Sequence, residues 1–245
     1  MALSLDLSGK VVLVTGGQRG IGRGITQAFA DAGAKVVTCA RSEAESPVPG
    51  TTHVQCNVTD PEAVQALVDG IVAQHGRLDV LVNNAGGAPA TEAATASPRF
   101  HDKIIGLNLS SPLLVAQVAN QVMQTQEIGG SIVNITSISA HRPAPTIAAY
   151  AAAKAGLESL TKSLAMEWGP RVRVNAIEVG LCRTEQTDDH YGGDDRVAAI
   201  EATIPLGRMA RPEEVGTVAV FLASDLARYM TGQTLMVDGG GFMAF

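Results

Sequence analysis

Seven short apolar, β-branched runs alternate along this chain with longer segments of helical periodicity, and that alternation limits the fold more than any other feature. The runs fall at residues 10–15, 35–39, 53–56, 79–82, 131–136, 173–177 and 234–237. Helical patterns cover 21–32, a stretch opening at Pro61 behind an Asp60 cap, 100–124, 147–168 and 212–223. Short runs alternating with helices read as a parallel sheet covered by helices. With no linker or repeat in 245 residues, the whole of 1–245 reads as a single α/β domain, a doubly wound sheet. The polar stretch through Gly193 is the longest irregular segment and a candidate lid, and 181–211 is the expected substrate-binding region.

Two glycine-bearing turns follow two of the strands. Thr15-Gly16-Gly17-Gln18-Arg19-Gly20-Ile21-Gly22 joins the first strand to its helix. Glycines there permit a tight turn and let backbone N–H groups approach a pyrophosphate at the positive helix end. The spacing is GxxxGxG rather than GxGxxG, so by itself it also fits any glycine-rich strand–helix loop. Asn83-Asn84-Ala85-Gly86 follows the fourth strand, where open α/β sheets bind ligands, although an Asn/Gly turn is common after any strand. Together the two turns point to one crevice.

Tyr150-Ala-Ala-Ala-Lys154 places a phenol and an ammonium one helical turn apart, on one helix face. A neighbouring cation favours phenolate and is expected to lower the Tyr150 pKa, making a poor base usable near neutrality. Ser137 follows an apolar strand beside the same crevice and could hydrogen-bond a substrate oxygen; Ser139 is its rival, and a turn role is the plain alternative for both. Asn108 is the remaining polar candidate, within the long helix that precedes that strand.

These ordered motifs, with Asn175 through Thr184, make the chain from Gly9 to Gly240 resemble a single-domain short-chain dehydrogenase/reductase with a Rossmann sheet. The resemblance implies that Tyr150 is the general acid/base, that Ser137 orients the carbonyl, and that Asn108 holds a water in the proton relay. It implies that Lys154 binds the nicotinamide ribose. It places cofactor contacts at Gly16, Gln18, Arg19, Gly20, Ile21, Gly22, Arg41, Ser42, Asn57, Val58, Asn84, Ala85, Gly86, Tyr150, Lys154, Gly180, Leu181 and Thr184. Three departures stand out: Val179-Gly180 replaces the usual Pro-Gly, Asn57 replaces an adenine-side Asp, and the short Pro/Gly-rich segment 42–52 leaves no room for the usual helix. An acidic residue ending the second strand would favour NAD; here Ala40-Arg41-Ser42 stands there, with Arg19 in the phosphate turn. Guanidiniums suit a 2′-phosphate, so NADP(H) is the expected cofactor.

The expected reaction is hydride transfer between NADP(H) and a carbonyl/secondary alcohol. A 3-oxoacyl-carrier-protein reductase is the alternative within the family, with Arg171 and Arg173 as the basic residues available to dock an acidic carrier. A non-catalytic NADP(H)-binding sensor or scaffold is the alternative outside it. A net charge of −6 without a Lys/Arg run argues against nucleic acid or an anionic membrane as partner. Three scattered cysteines, no leader pattern and no long apolar run point to the cytoplasm. The five histidines show no HxH or HExxH spacing, so no metal is expected; Asp188-Asp189-His190 with Asp194-Asp195 reads as a solvated acidic loop, and His141 as a candidate pocket-lining residue. No GxSxG elbow surrounds Ser137, against a serine hydrolase. The family resemblance implies a homotetramer or dimer, with the apolar tail 239–245 packed at a subunit interface.

Overall fold

The structure is a computed structural model that describes residues 5–185, 187 and 191–241. Its strands are β1 (Val11–Thr15), β2 (Lys35–Ala40), β3 (Thr52–Gln55), β4 (Val80–Asn83), β5 (Gly130–Ser137), β6 (Val172–Val179) and β7 (Thr234–Val237). Its helices are α1 (Gly20–Asp31), α2 (Pro61–His75), α3 (Pro98–Ile105), α4 (Ser111–Thr125), α5 (Ala148–Trp168), α6 (Asp194–Glu201) and α7 (Pro212–Ala223). All strand pairs are parallel, in the order β3-β2-β1-β4-β5-β6-β7. The chain therefore winds outward twice from the centre, and the order reverses between β1 and β4. Ligand crevices of open α/β sheets form at that switch, beyond the carboxyl ends of the strands.

Burial on both faces explains why the central strands are unbroken apolar runs. All five residues of β1 and all four of β4 are buried. One face of the sheet packs Leu67, Val115, Ala119 and Leu164 from α2, α4 and α5; the other packs Ile25, Phe29, Val215 and Ala219 from α1 and α7. Asp60 caps α2, its carboxylate accepting from the N–H groups of Glu62 and Ala63. No helix among the described residues is long and apolar enough to cross a membrane.

Three features depart from the pattern reading. The helix expected over 100–124 is two helices, α3 and α4, joined by a π-helical turn at 106–110. Periodicity carries across a single widened turn almost unchanged, which is why the pattern looks continuous. Helix α6 has no counterpart in the pattern; it is short, and Val197 is its one buried residue, packing with Ile204 and Met209 in a small separate core. Ser137 is the last residue of β5 rather than the first beyond it. The segment between β2 and β3 has no helix, as its Pro/Gly content suggests. Within the irregular stretch after β6, Asp188, Asp189 and His190 lie outside the described residues, as do tail residues 242–245.

Candidate active site

The two glycine turns meet as their positions in the sheet require. The Thr15 hydroxyl accepts from the N–H groups of Asn84 and Ala85, both at 3.0 Å, while the Asn84 amide donates to the Thr15 and Gly16 carbonyls at 2.9 and 3.1 Å. Gly16 is in the left-handed region at φ +65°, and a Cβ on Gly22 would overlap the Gly16 carbonyl oxygen. The first turn of α1 thus lies directly against the loop. The Gly20 N–H at that helix end donates to the Glu185 carboxylate at 2.9 Å. A carboxylate already sits on the helix's positive end, so the residues present fit an anionic cofactor group there.

The other sequence-predicted cofactor residues spread around this turn. Arg19 and Arg41 are exposed, beyond the carboxyl ends of the adjacent strands β1 and β2. Ser42 and Asn57 are exposed and Val58 is buried; Asn57 accepts from the Thr59 hydroxyl. Gln18 turns inward instead. Its amide donates to Thr38 at 2.6 Å and accepts from the Val48 N–H at 2.9 Å, holding the helix-free segment to β2. Ile21 packs against the core beside α7. Gly180 lies so close to Asp238 that a Cβ would stand 2.6 Å from that residue's Cβ; Leu181 packs with the small core, and the Thr184 N–H donates to the Thr187 hydroxyl.

The catalytic candidates converge at the carboxyl ends of β4 and β5. Asn108 lies in the π-turn, fully buried, bonding both ways to the Gly87 backbone at 2.8 and 3.0 Å and donating to the Ile104 carbonyl at 2.9 Å. π-Turns of this kind recur at functional sites. A Cβ on Gly86 would stand 2.6 Å from Asn108 Oδ1 and 3.3 Å from Lys154 Nζ, which puts these three residues at one point. Lys154 Nζ donates to the Ile135 carbonyl at 2.9 Å and lies 5.5 Å from the Tyr150 ring centroid. The Ser137 hydroxyl acts on the Tyr150 phenol and pulls its pKa down. Ser139 lies two residues further on, its N–H donating to the Ser137 hydroxyl at 3.2 Å, and it is Ser137 rather than its rival that acts on the phenol.

The electrostatics correct one expectation. Burial raises the Tyr150 phenol above its ordinary value, the Ser137 hydrogen bond lowers it, and Tyr191 adds a smaller push upward. The downward pull therefore comes from Ser137 rather than from Lys154. Burial alone brings the Lys154 ammonium down to about 8. The physical reason is enclosure: a four-residue helical interval supplies the cation but carries no information about its desolvation.

A small, mostly apolar hollow opens beside Tyr150, lined by Pro89, Phe100, Ile104, Ile147 and neighbours. The segment 88–93 contributes to it, and α3 and the start of α5 add walls that the sequence pattern does not indicate. Thr146, at φ +68°, is a β-branched residue in the left-handed region on the hollow's rim, and its carbonyl accepts from the Thr91 N–H at 2.8 Å.

Two further findings lay beyond sequence reasoning. His141, Glu158 and Glu178 come together from the turn after β5, from α5 and from β6, with ligand atoms within 4.8 Å of one another. Gaps of 17 and 20 residues separate them, so no local motif could have revealed the group. Glu178 is raised by burial and by Glu158, partly offset by His141, with Asp238 adding to the rise. Second, Arg171 and Arg173 stand away from the catalytic end of the sheet. They flank the start of β6, and Arg173 lies about 20 Å along the strand from Val179 at its catalytic end. Arg173 also donates to the Leu222 and Met230 carbonyls at 2.7 and 3.1 Å, and Arg171 to the Gln126 carbonyl at 2.8 Å.

Comparison with known proteins agrees with this geometry. A family profile described as Enoyl-(Acyl carrier protein) reductase matches residues 16–241. The chain is 36% identical to 3beta-hydroxysteroid dehydrogenase 1 of Eggerthella lenta, covering 96% of this chain and 94% of that protein. It is 38% identical to the 3-oxoacyl-[acyl-carrier-protein] reductase FabG of Escherichia coli, over 98% of this chain and 100% of that one. The crystal structure of a short-chain type dehydrogenase/reductase from Mycobacterium marinum superimposes with a TM-score of 0.88 at 33% identity, covering 97% of each chain.

Proposed function

The chain belongs to the short-chain dehydrogenase/reductase family of oxidoreductases, which transfer a hydride between a nicotinamide cofactor and a carbonyl/alcohol pair, and on that premise we propose that it is an NADP(H)-dependent reductase of small carbonyl compounds. The observation that carries the reading is the enclosed Ser137–Tyr150–Lys154 group beside the apolar hollow. Bound nicotinamide supplies or accepts the hydride. The Tyr150 hydroxyl delivers the proton to the substrate oxygen in reduction and takes it back in oxidation. Its raised pKa keeps it protonated through neutral pH, the form that reduction needs. Ser137 donates to the same oxygen and fixes its distance from the phenol. In this reading Lys154, held on the Ile135 carbonyl, binds ribose hydroxyls, and Asn108, its amide hydrogens already given to the Gly87 and Ile104 carbonyls, orders through its oxygen the water that refills the phenol's proton.

The preference for NADP(H) rests on Arg19 and Arg41 where an acidic side chain would otherwise repel a phosphate dianion. Residues 181–211 form the substrate-facing cover, and 1–245 act as one catalytic unit. A small substrate is favoured over a carrier-borne one because the arginines available for docking lie at the far end of β6. We assign the protein to the cytoplasm, consistent with the free, buried state of Cys39, Cys56 and Cys182, and to a homotetramer.

Tyr150→Phe tests the core of this reading. Turnover of a ketone and alcohol panel is expected to fall at least about a thousandfold, while NADPH affinity stays within a few-fold. Retained turnover overturns the assignment. Fluorescence titration tests the cofactor: NADPH is expected to bind at least about tenfold more tightly than NADH, and tighter NADH binding reverses the proposal.

A further inference from the structure

Beside the site, but unused by the chemistry above, three ionisable side chains share one small volume. Glu158 stands on α5, two helical turns beyond Tyr150, and is 4% exposed. Glu178 stands on β6, paired in register with Thr136, and is 2% exposed. His141 closes the turn that begins just after Ser137, with its side chain 47% exposed. His141 Nε2 lies 2.7 Å from one Glu158 oxygen and 3.6 Å from Glu178 Oε2. The other Glu158 oxygen accepts from the Thr136 hydroxyl at 3.0 Å, which turns the first toward the histidine. Glu178 Oε1 is buried and has no hydrogen-bond partner among the described residues.

Leaving a carboxylate oxygen enclosed and unpaired is costly, and a second carboxylate beside it makes the pocket more negative still. The remaining ionisable group acting on Glu178 is Asp238, another acid. A neutral imidazole with two carboxylates offers one nitrogen and two oxygen ligands, a set suited to zinc and, less strongly, manganese, and poorly suited to magnesium or calcium. Ligand atoms on a tetrahedral zinc stand about 3.4 Å apart for bonds near 2.1 Å. The separations here bracket that value, so small side-chain rotations suffice. The Thr136 hydroxyl would act as the outer hydrogen bond that orients Glu158.

We propose that His141, Glu158 and Glu178 form a binding site for a divalent transition-metal ion, best suited to Zn²⁺. Bound there, the ion ties the turn after Ser137 to α5 and β6, and so stiffens the turn that follows the Ser137 end of β5. It takes no part in hydride transfer.

The test uses tag-free, full-length protein stripped with a chelator, with Zn²⁺ and Mn²⁺ alone as probes. Calorimetry is expected to find one high-affinity Zn²⁺ per chain, with Mn²⁺ weaker, and saturating Zn²⁺ to raise the melting temperature by roughly 5 °C or more. His141→Ala, at a half-exposed position, and the isosteric Glu178→Gln should each weaken Zn²⁺ binding at least about tenfold. Should Glu178→Gln fail to fold, His141→Ala decides the matter alone. Absence of binding to the wild-type chain overturns the proposal and leaves the group as a proton-sharing cluster. Unchanged affinity in His141→Ala also overturns it, because the ion then sits elsewhere. Neither readout depends on enzymatic activity, so the result is separable from the functional reading.

Discussion

Lys154 is 3% exposed, and its ammonium has been moved out of water onto a single backbone carbonyl. Burial brings it down from an ordinary 10.5 to about 8, so the folded chain loses this proton before the unfolded chain does. Between about pH 8 and 10.5 the unfolded state binds more protons, and stability rises with pH across that window; below it the full penalty, about 3 kcal/mol, remains. A buried cation retained at such a cost serves the site rather than the fold. Lys154→Met is therefore expected to abolish turnover and yet melt a few degrees above wild type at pH 7, with the gap closing as the pH is taken from about 8 to about 10. Thermal melts of the two proteins at about pH 7 and pH 9.5 check this, and a variant that melts lower at pH 7 contradicts it.

Among the elements, α1 carries the strongest consequence. Its first N–H group holds the Glu185 carboxylate, which stands on the segment following β6. An anionic cofactor group approaching that helix end meets a like charge and must displace it. Glu185→Gln should tighten NADPH binding about two- to fivefold at low salt, from the roughly 0.3–1 kcal/mol that a charge contributes at a helix terminus. The gain should shrink as salt rises, and titrations at two ionic strengths measure it directly. Weaker binding by the variant would show that Glu185 helps the cofactor instead. The π-turn between α3 and α4 acts on the catalytic side of the crevice, where it holds Asn108 against Gly87 and brings its side chain within reach of Gly86 and Lys154.

At the scale of the whole molecule, the parallel sheet separates two ends with different chemistry. The carboxyl ends of β1, β4, β5 and β6 carry the glycine turns, Ser137 and the chain that follows β6, while the opposite end carries Arg171 and Arg173 bound to backbone carbonyls. Apolar side chains remain exposed near the β7 edge, with Tyr229 102% and Met236 44% exposed, and on α5, with Met166 86% exposed. Exposed apolar side chains beside an uncovered edge strand are where association is expected, since such an edge is itself a liability. Light scattering is expected to give a tetramer at micromolar concentration, and Tyr229→Arg a smaller species with unchanged secondary structure. A wild-type monomer would refute the assembly.

What could be read along the chain was whatever local spacing encodes. Buried β-branched runs announced the parallel sheet, because strands covered on both faces must be apolar throughout. Tyr150 and Lys154 share a helix face because of the four-residue interval, and the Thr15–Gly22 and Asn83–Gly86 turns lie together because both follow central strands. Tertiary structure alone decided whatever depends on segments far apart in the chain. It enclosed Lys154, turned Gln18 inward, bound Arg173 to carbonyls, placed Glu185 on α1 and gathered His141, Glu158 and Glu178 into one pocket. Desolvation and long-range contact have no period in a sequence, and these are the terms that set the charge states of this site.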